Sequence, residues 1–286
     1  FSPFGQKMRY LLALAAIEYQ RVNQPPVLPR PDLQEFGITH RRIPVLAIGK
    51  DIYCDTAAIT KVVQQKLGSV PAGPAEKAFE AFGARLFDSM LHVVPATVLT
   101  ETFKRDRETI FPVLSRPDYE EIRPSCLAGL RSVLGTIEDE FLAHGEGFIG
   151  GGQPSIADVH IAPLARWGLV TLGIGEEPGF GENDFPRVHA WIAGLPVVQP
   201  EEISGAQAAE RILGARYLEE RASVAADDAL GIWAGRRVSV ESADSTPGAH
   251  PQEGSLIGAG RDEVVVGLQT GVRLHFPRHG YIVKAA

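Results

Sequence analysis

Three short stretches place side chains capable of chemistry at the start of a helix. In Ser2-Pro3 the proline ring pushes the preceding residue toward extended geometry, while proline at the first helical position costs nothing. Ser2 is therefore read as an N-cap whose hydroxyl sits at the positive end of the run that follows. Asp55-Thr56 opens a second amphipathic run as its cap, and Ser155 to Asp158 opens a third with the acidic counterpart of a capping box. Each is first a folding device. The hydroxyl and carboxylate are also groups that hydrogen-bond or pair with charged ligands at a helix start.

Other chemistries lack their parts. No G-x-S-x-G elbow is present, so Ser-His-Asp nucleophilic catalysis is disfavoured. Cys54 and Cys126 lie far apart without C-x-x-C spacing, which argues against a disulfide framework or a zinc site, and Cys54 reads as a buried strand thiol. His275 and His279 are four apart, but Pro277 and Gly280 place them on a strand and turn rather than a helix, with no evident third ligand. No metal is expected.

The elements that must position these groups follow from periodicity. Residues 3–17 recur at helical spacing and lead into a short extended stretch, Tyr19 to Val22. After the proline-rich NQPPVLPRPDL, the segments PVLAI and DIYC flank Gly49-Lys50 as a hairpin, and a helix follows Asp55-Thr56. The Gly- and Pro-rich GSVPAGPAE ends this region. From residue 75 to about 222, long amphipathic runs predict an all-helical domain, one helix of which carries Trp167. From about Asp228 the period changes to two, and RRVSVES, GSLIG, EVVVGL, VRLHF and YIVKA predict a small five-stranded antiparallel sheet or barrel. At about 60 residues such a unit is marginal alone and should pack on the rest.

The chain has 286 residues, 44% of them hydrophobic and 22% charged, which is enough for two or three domains. A net charge of -7 without a basic block argues against nucleic-acid or anionic-membrane partners and leaves small-molecule chemistry. No apolar run approaches the roughly 18 residues of a membrane span, and no secretory leader is visible, so a cytoplasmic location is expected. The sequence starts without Met, inside what reads as a motif.

S-P-F at the start, R-I-P-V-L ahead of a hairpin, D-T-A-A-I opening a helix and S-I-A-D within a helical region occur in an order that resembles the cytosolic glutathione transferase (GST) family, over roughly residues 1–222. The resemblance implies an α+β fold. A thioredoxin-like glutathione-binding domain would span 1–70, with room for a first strand upstream of Phe1, and an all-α GST-type domain would span 75–222. The β-rich segment 228–286 would be an accessory domain absent from ordinary members.

The resemblance also implies roles. Ser2 would donate a hydrogen bond to the glutathione sulfur. A thiol with a pKa near 8.5 is only about 3% ionised at pH 7, so lowering it by about two units needs roughly 2.7 kcal/mol of preferential anion stabilisation. One hydroxyl donor plus a helix N-terminus supplies that order of energy. Pro44 would be cis, with Ile43 and Val45 pairing by backbone with the cysteinyl unit. Asp55 would pair with the γ-glutamyl ammonium, one carbon shorter than the commoner Glu, while Thr56 takes the α-carboxylate. Arg42 would approach the glycyl carboxylate, although a solvated arginine fits that position equally well. Phe4, Phe87, Met90 and Trp167 are the candidates for an electrophile pocket, at a spacing that also suits ordinary core packing.

The implied activity is that of a glutathione-dependent transferase acting on a small hydrophobic electrophile, in detoxification or secondary metabolism. Glutathione would be the cosubstrate, and a homodimer is the family's common assembly. Two alternatives stay open at this point: a glutathione-dependent isomerase of an activated double bond, and a non-catalytic GST-fold binding or scaffold protein.

Overall fold

A computed structural model describes residues 2–196, 198–218 and 222–286. The fold has the α+β character expected from the sequence, and its contacts divide it into two units: 1–18 with 63–199, and 19–62 with 200–286. These units cut across the three consecutive segments 1–70, 75–222 and 228–286 suggested by composition. The last positions of the helical segment, 219–221, lie outside the described residues.

The first unit is helical. Helix α1 (Pro3–Leu14) packs against α7 (Ile156–Arg166), which also packs against α4 (Glu76–Leu91). A Cβ at Gly83 would come within 2.5 Å of the His160 carbonyl oxygen, so glycine is what lets α4 and α7 approach this closely. Helix α6 (Tyr119–Thr136) lies against α4 and α8 (Pro186–Ala193) against α7. Between α4 and α6 runs a short helix, α5 (Glu101–Arg107). Asp158 is fully buried and accepts four hydrogen bonds. Ile149 N–H (2.8 Å) and Trp191 Nε1–H (2.9 Å) donate to Oδ1, and Ser155 N–H (2.8 Å) and Oγ–H (2.9 Å) donate to Oδ2. The S-x-x-D motif thus caps α7 and also ties it to the preceding loop and to α8.

The second unit is built on one sheet. Strands β2 (Val45–Ile48) and β3 (Asp51–Cys54) form the expected hairpin. The five C-terminal strands are β5 (Arg237–Ser242), β6 (Gln252–Ala259), β7 (Glu263–Gly267), β8 (Arg273–Pro277) and β9 (Tyr281–Ala285). They form the predicted antiparallel set in the order β8-β7-β6-β5-β9. Strand β8 then pairs in parallel with β3, joining hairpin and C-terminal strands in one seven-stranded sheet. The 228–286 segment is therefore not a separate sheet. Alone it would leave one face of its valines uncovered; here Val238, Val240, Leu256, Val264, Val266, Leu274 and Phe276 share a core with Leu33, Phe36, Ile38, Ile52 and Cys54.

Three smaller elements complete this unit: β1 (Gln20–Arg21), which pairs in parallel with β4 (Glu201–Glu202), and the short α2 (Pro31–Gln34). Helix α9 (Gly205–Gly214), placed by sequence in the helical domain, instead packs against α2 and lays Ala209 and Ile212 on the sheet core. These contacts place it in the second unit, so the helical unit ends near residue 199.

Candidate functional site

Within the second unit, two buried side chains hold the segment from Gly37 to Pro44: Arg30 donates to the Arg41 carbonyl, and Gln252 binds the segment's start. Gln252 Oε1 accepts from Thr39 N–H (2.8 Å) and His40 N–H (3.2 Å), and its Nε2 donates to the Gly37 carbonyl at 3.1 Å. Four residues later the Ile43–Pro44 bond is cis, and β2 begins at Val45. Ile43 and Val45 pack on the sheet core. The side chain of Arg42 pairs with Asp244 Oδ1 at 2.6 Å.

The hairpin ends at Cys54, whose buried thiol is pushed well above the usual thiol range by desolvation and by Asp55. Asp55 follows with φ +82°, a left-handed conformation that an L residue with a β-carbon rarely adopts. There its backbone carbonyl accepts from Ile59 N–H and its Oδ1 from Ala57 N–H at 2.8 Å, capping helix α3 (Thr56–Val62), of which Thr56 is the first residue. Its Oδ2 accepts from the hydroxyl of Tyr281 at 3.1 Å. Arg42, Ile43, Pro44, Val45, Asp55 and Thr56 thus lie in one unit, on and beside one hairpin.

Ser2 belongs to the other unit. It is extended (φ -61°, ψ 123°), and its Oγ accepts from Gly5 N–H at 3.2 Å, so the capping role read from the sequence is realised. That bond uses an oxygen lone pair and does not commit the hydroxyl proton. In the same unit Phe4 meets Phe87 edge-on with ring centroids 4.8 Å apart, and Phe87 lies 5.8 Å from Trp167. Met90 is fully buried and Trp167 nearly so, which makes these two core residues behind the rings; Phe4 and Phe87 keep partial exposure. Phe111, 5.6 Å from Phe87 and also partly exposed, joins the cluster and was not singled out by the sequence. It follows a loop without helical period, so no repeat marks it.

His275 has a different role from the one its spacing raised. Its Nε2–H donates to buried Asp51 at 2.9 Å, its Nδ1 lies 3.5 Å from Glu263, and its ring stacks on Tyr53 at 4.4 Å. Among the described residues no group of three or more His, Cys, Asp or Glu is placed to hold a metal ion, and no helix is long and apolar enough to cross a membrane.

Residues 1–71 match the family model for the glutathione S-transferase N-terminal domain, and residues 91–199 match a domain of unknown function, DUF7962. Among curated proteins, glutathione S-transferase U1 of Arabidopsis thaliana is 25% identical over 203 residues, covering 69% of this chain and 82% of that protein. Glutathione S-transferase U7 of the same plant is 21% identical over 197 residues, covering 68% of this chain and 78% of its own length. A solved GST-like protein from Pseudomonas syringae superposes over 100% of this chain and 96% of its own, with TM-score 0.69 and 28% identity, C-terminal strands included. Glutathione transferase GSTFuA3 from Phanerochaete chrysosporium shares the fold over 69% of this chain and 92% of its own, with TM-score 0.51 and 21% identity. Residues 1–71 thus carry a glutathione S-transferase N-terminal domain, and over most of its length the chain is similar to glutathione S-transferases.

Proposed function

We propose that this protein is a glutathione-dependent transferase that holds the tripeptide's sulfur as a thiolate and delivers it to a small hydrophobic electrophile, by substitution or conjugate addition. The observation that carries the reading is the coincidence of the matched N-terminal domain, 1–71, with every residue whose chemistry suits the tripeptide. Ser2 offers an uncommitted hydroxyl proton at a helix start. Val45 opens an edge strand, whose backbone is free to pair with an extended peptide, and Asp55-Thr56 offers an acid beside the free N–H groups of α3. In this reading Ser2 donates to sulfur and never becomes a covalent nucleophile. Arg42 faces the glycyl carboxylate, and Phe4, Phe87 and Phe111 form the apolar wall for the electrophile. No metal is needed for the addition, and the family resemblance supports a cytosolic homodimer.

The test is calorimetry with glutathione followed by a spectrophotometric assay with an aryl halide. Saturable binding and accumulating conjugate are expected. No binding at millimolar glutathione sinks the proposal, while binding with glutathione regenerated from an activated alkene reassigns the protein as an isomerase.

A further inference from the structure

We infer that Tyr281, on the last strand of the sheet, is a positioning residue for the Asp55 carboxylate and hence for recognition of glutathione's free amino group; the inference rests on the ammonium-binding reading of Asp55 given above. An ionised carboxylate offers about four acceptor directions. Two are taken, one on each oxygen: Ala57 N–H on Oδ1 at 2.8 Å and Tyr281 O–H on Oδ2 at 3.1 Å. The carboxylate is therefore gripped at both ends, with one direction per oxygen left for the three donors of an ammonium group.

Tyr281 is itself well held. It pairs with Ser242 in the β5–β9 register, and its ring lies 5.3 Å from Phe276 and 5.8 Å from His40. Burial, reinforced by Asp55 and Cys54, raises its hydroxyl well above the ordinary tyrosine range, so it stays a donor at any working pH. His40 is kept neutral, its pKa lowered to about 3 by burial and by Arg42, Arg30 and His250, so no imidazolium competes for the carboxylate. Besides Tyr281 and Asp55, the titratable groups close to this contact are Cys54, held protonated, and Arg42, paired with Asp244. The C-terminal strands thus reach back to a residue at the end of the N-terminal hairpin.

Glutathione and N-acetylglutathione, which lacks the ammonium charge, are titrated calorimetrically into wild type and Tyr281→Phe. Freeing one ordered side chain at a binding site costs on the order of fivefold in affinity. Y281F should bind glutathione about fivefold more weakly and N-acetylglutathione as wild type does. In an Asp55→Ala background, adding Y281F should change neither affinity. Equal losses for both ligands, an unchanged glutathione affinity in Y281F, or a further loss in the D55A background would overturn the inference. A wild-type protein that does not prefer glutathione over its N-acetyl form overturns the reading of Asp55 instead. Melting curves of Y281F, which keeps the ring and loses one oxygen, check that the sheet is intact, and the D55A cycle reports on the pair independently of any general loosening.

Discussion

His275 donates from Nε2 to Asp51 at 2.9 Å, across the one parallel pairing in the sheet, while its other nitrogen faces Glu263 at 3.5 Å. The register makes this arrangement. Ile52 and Leu274 are partners and point into the core, so Asp51, Tyr53 and His275 fall on the opposite face, where Tyr53 stacks on the imidazole. The seam between N-terminal hairpin and C-terminal strands is therefore joined by Asp51, His275 and Glu263 side by side as well as by backbone bonds.

A pH dependence of stability follows. Burial alone would lower the His275 pKa, but the hydrogen bond to Asp51 and the adjacent carboxylates of Glu263 and Asp51 outweigh it and raise it above the ordinary value. The contribution is complete below the unfolded pKa of about 6.5 and is lost as pH rises through the raised folded value. Glu263 is held below its ordinary range by the His275 ring 3.5 Å away, so its contribution is present above about 4.3 and fades as pH falls through its folded value. Urea midpoints should be highest between about pH 5 and 6.5 and decline above it, and His275→Gln should flatten the decline. A slope identical in wild type and H275Q would remove the trio from the explanation.

Gln252 should be costly to replace. Its buried amide serves the backbone of Thr39, His40 and Gly37 at once, and Gln252→Leu removes that partner from all three, of which His40 is buried. An unsatisfied buried group costs about 1–3 kcal/mol, so with one buried N–H stranded a loss of roughly 2 kcal/mol with an unchanged urea m-value is expected. A loss below about 1 kcal/mol would mean that the segment leading to Pro44 finds other partners.

Asp158 is a folding residue in this structure. Asp158→Ala strands four donors and should destabilise the helical unit by at least about 3 kcal/mol, read from thermal or urea unfolding. Glutathione affinity per folded molecule should stay within about twofold of wild type. A selective loss of binding at full stability would contradict the capping role.

For Ser2, the expected effect is on sulfur rather than on affinity. Ser2→Ala should raise the pKa of bound thiol and reduce turnover about tenfold or more, with glutathione binding nearly unchanged. Thiolate absorbance titrated against pH reports this directly; identical curves for S2A and wild type would take Ser2 out of the mechanism.

Arg42 carries an internal competitor. Its guanidinium is occupied by Asp244 at 2.6 Å, a pair exposed enough to add little to stability. Asp244→Asn should tighten glutathione binding about two- to threefold at low salt, where the released charge is least screened. The gain should vanish when the glycyl carboxylate is esterified. A gain that survives esterification would show that Arg42 serves another group.

What was legible in the sequence is what local physics encodes. Ser2-Pro3, Asp55-Thr56 and Ser155 to Asp158 declare helix starts because capping depends on neighbours a few residues away. The hairpin about Gly49, the long amphipathic runs and the five period-two strands likewise depend on local geometry and burial pattern. Gly49 carries a further, non-local reason: it has φ +59°, and a Cβ there would overlap the Arg216 carbonyl oxygen. Tertiary packing alone decided which strands meet. The parallel pairing of β3 with β8 connects residues more than 200 positions apart, and no local preference specifies such a partner. The same pairing carried Tyr281 to Asp55, Gln252 to His40 and Asp244 to Arg42, making the C-terminal strands part of the neighbourhood of the candidate site. Their alternation announces strands, but a strand's edge bonds to any partner that buries its apolar face, and only the common core with Ile52 and Cys54 selects this one.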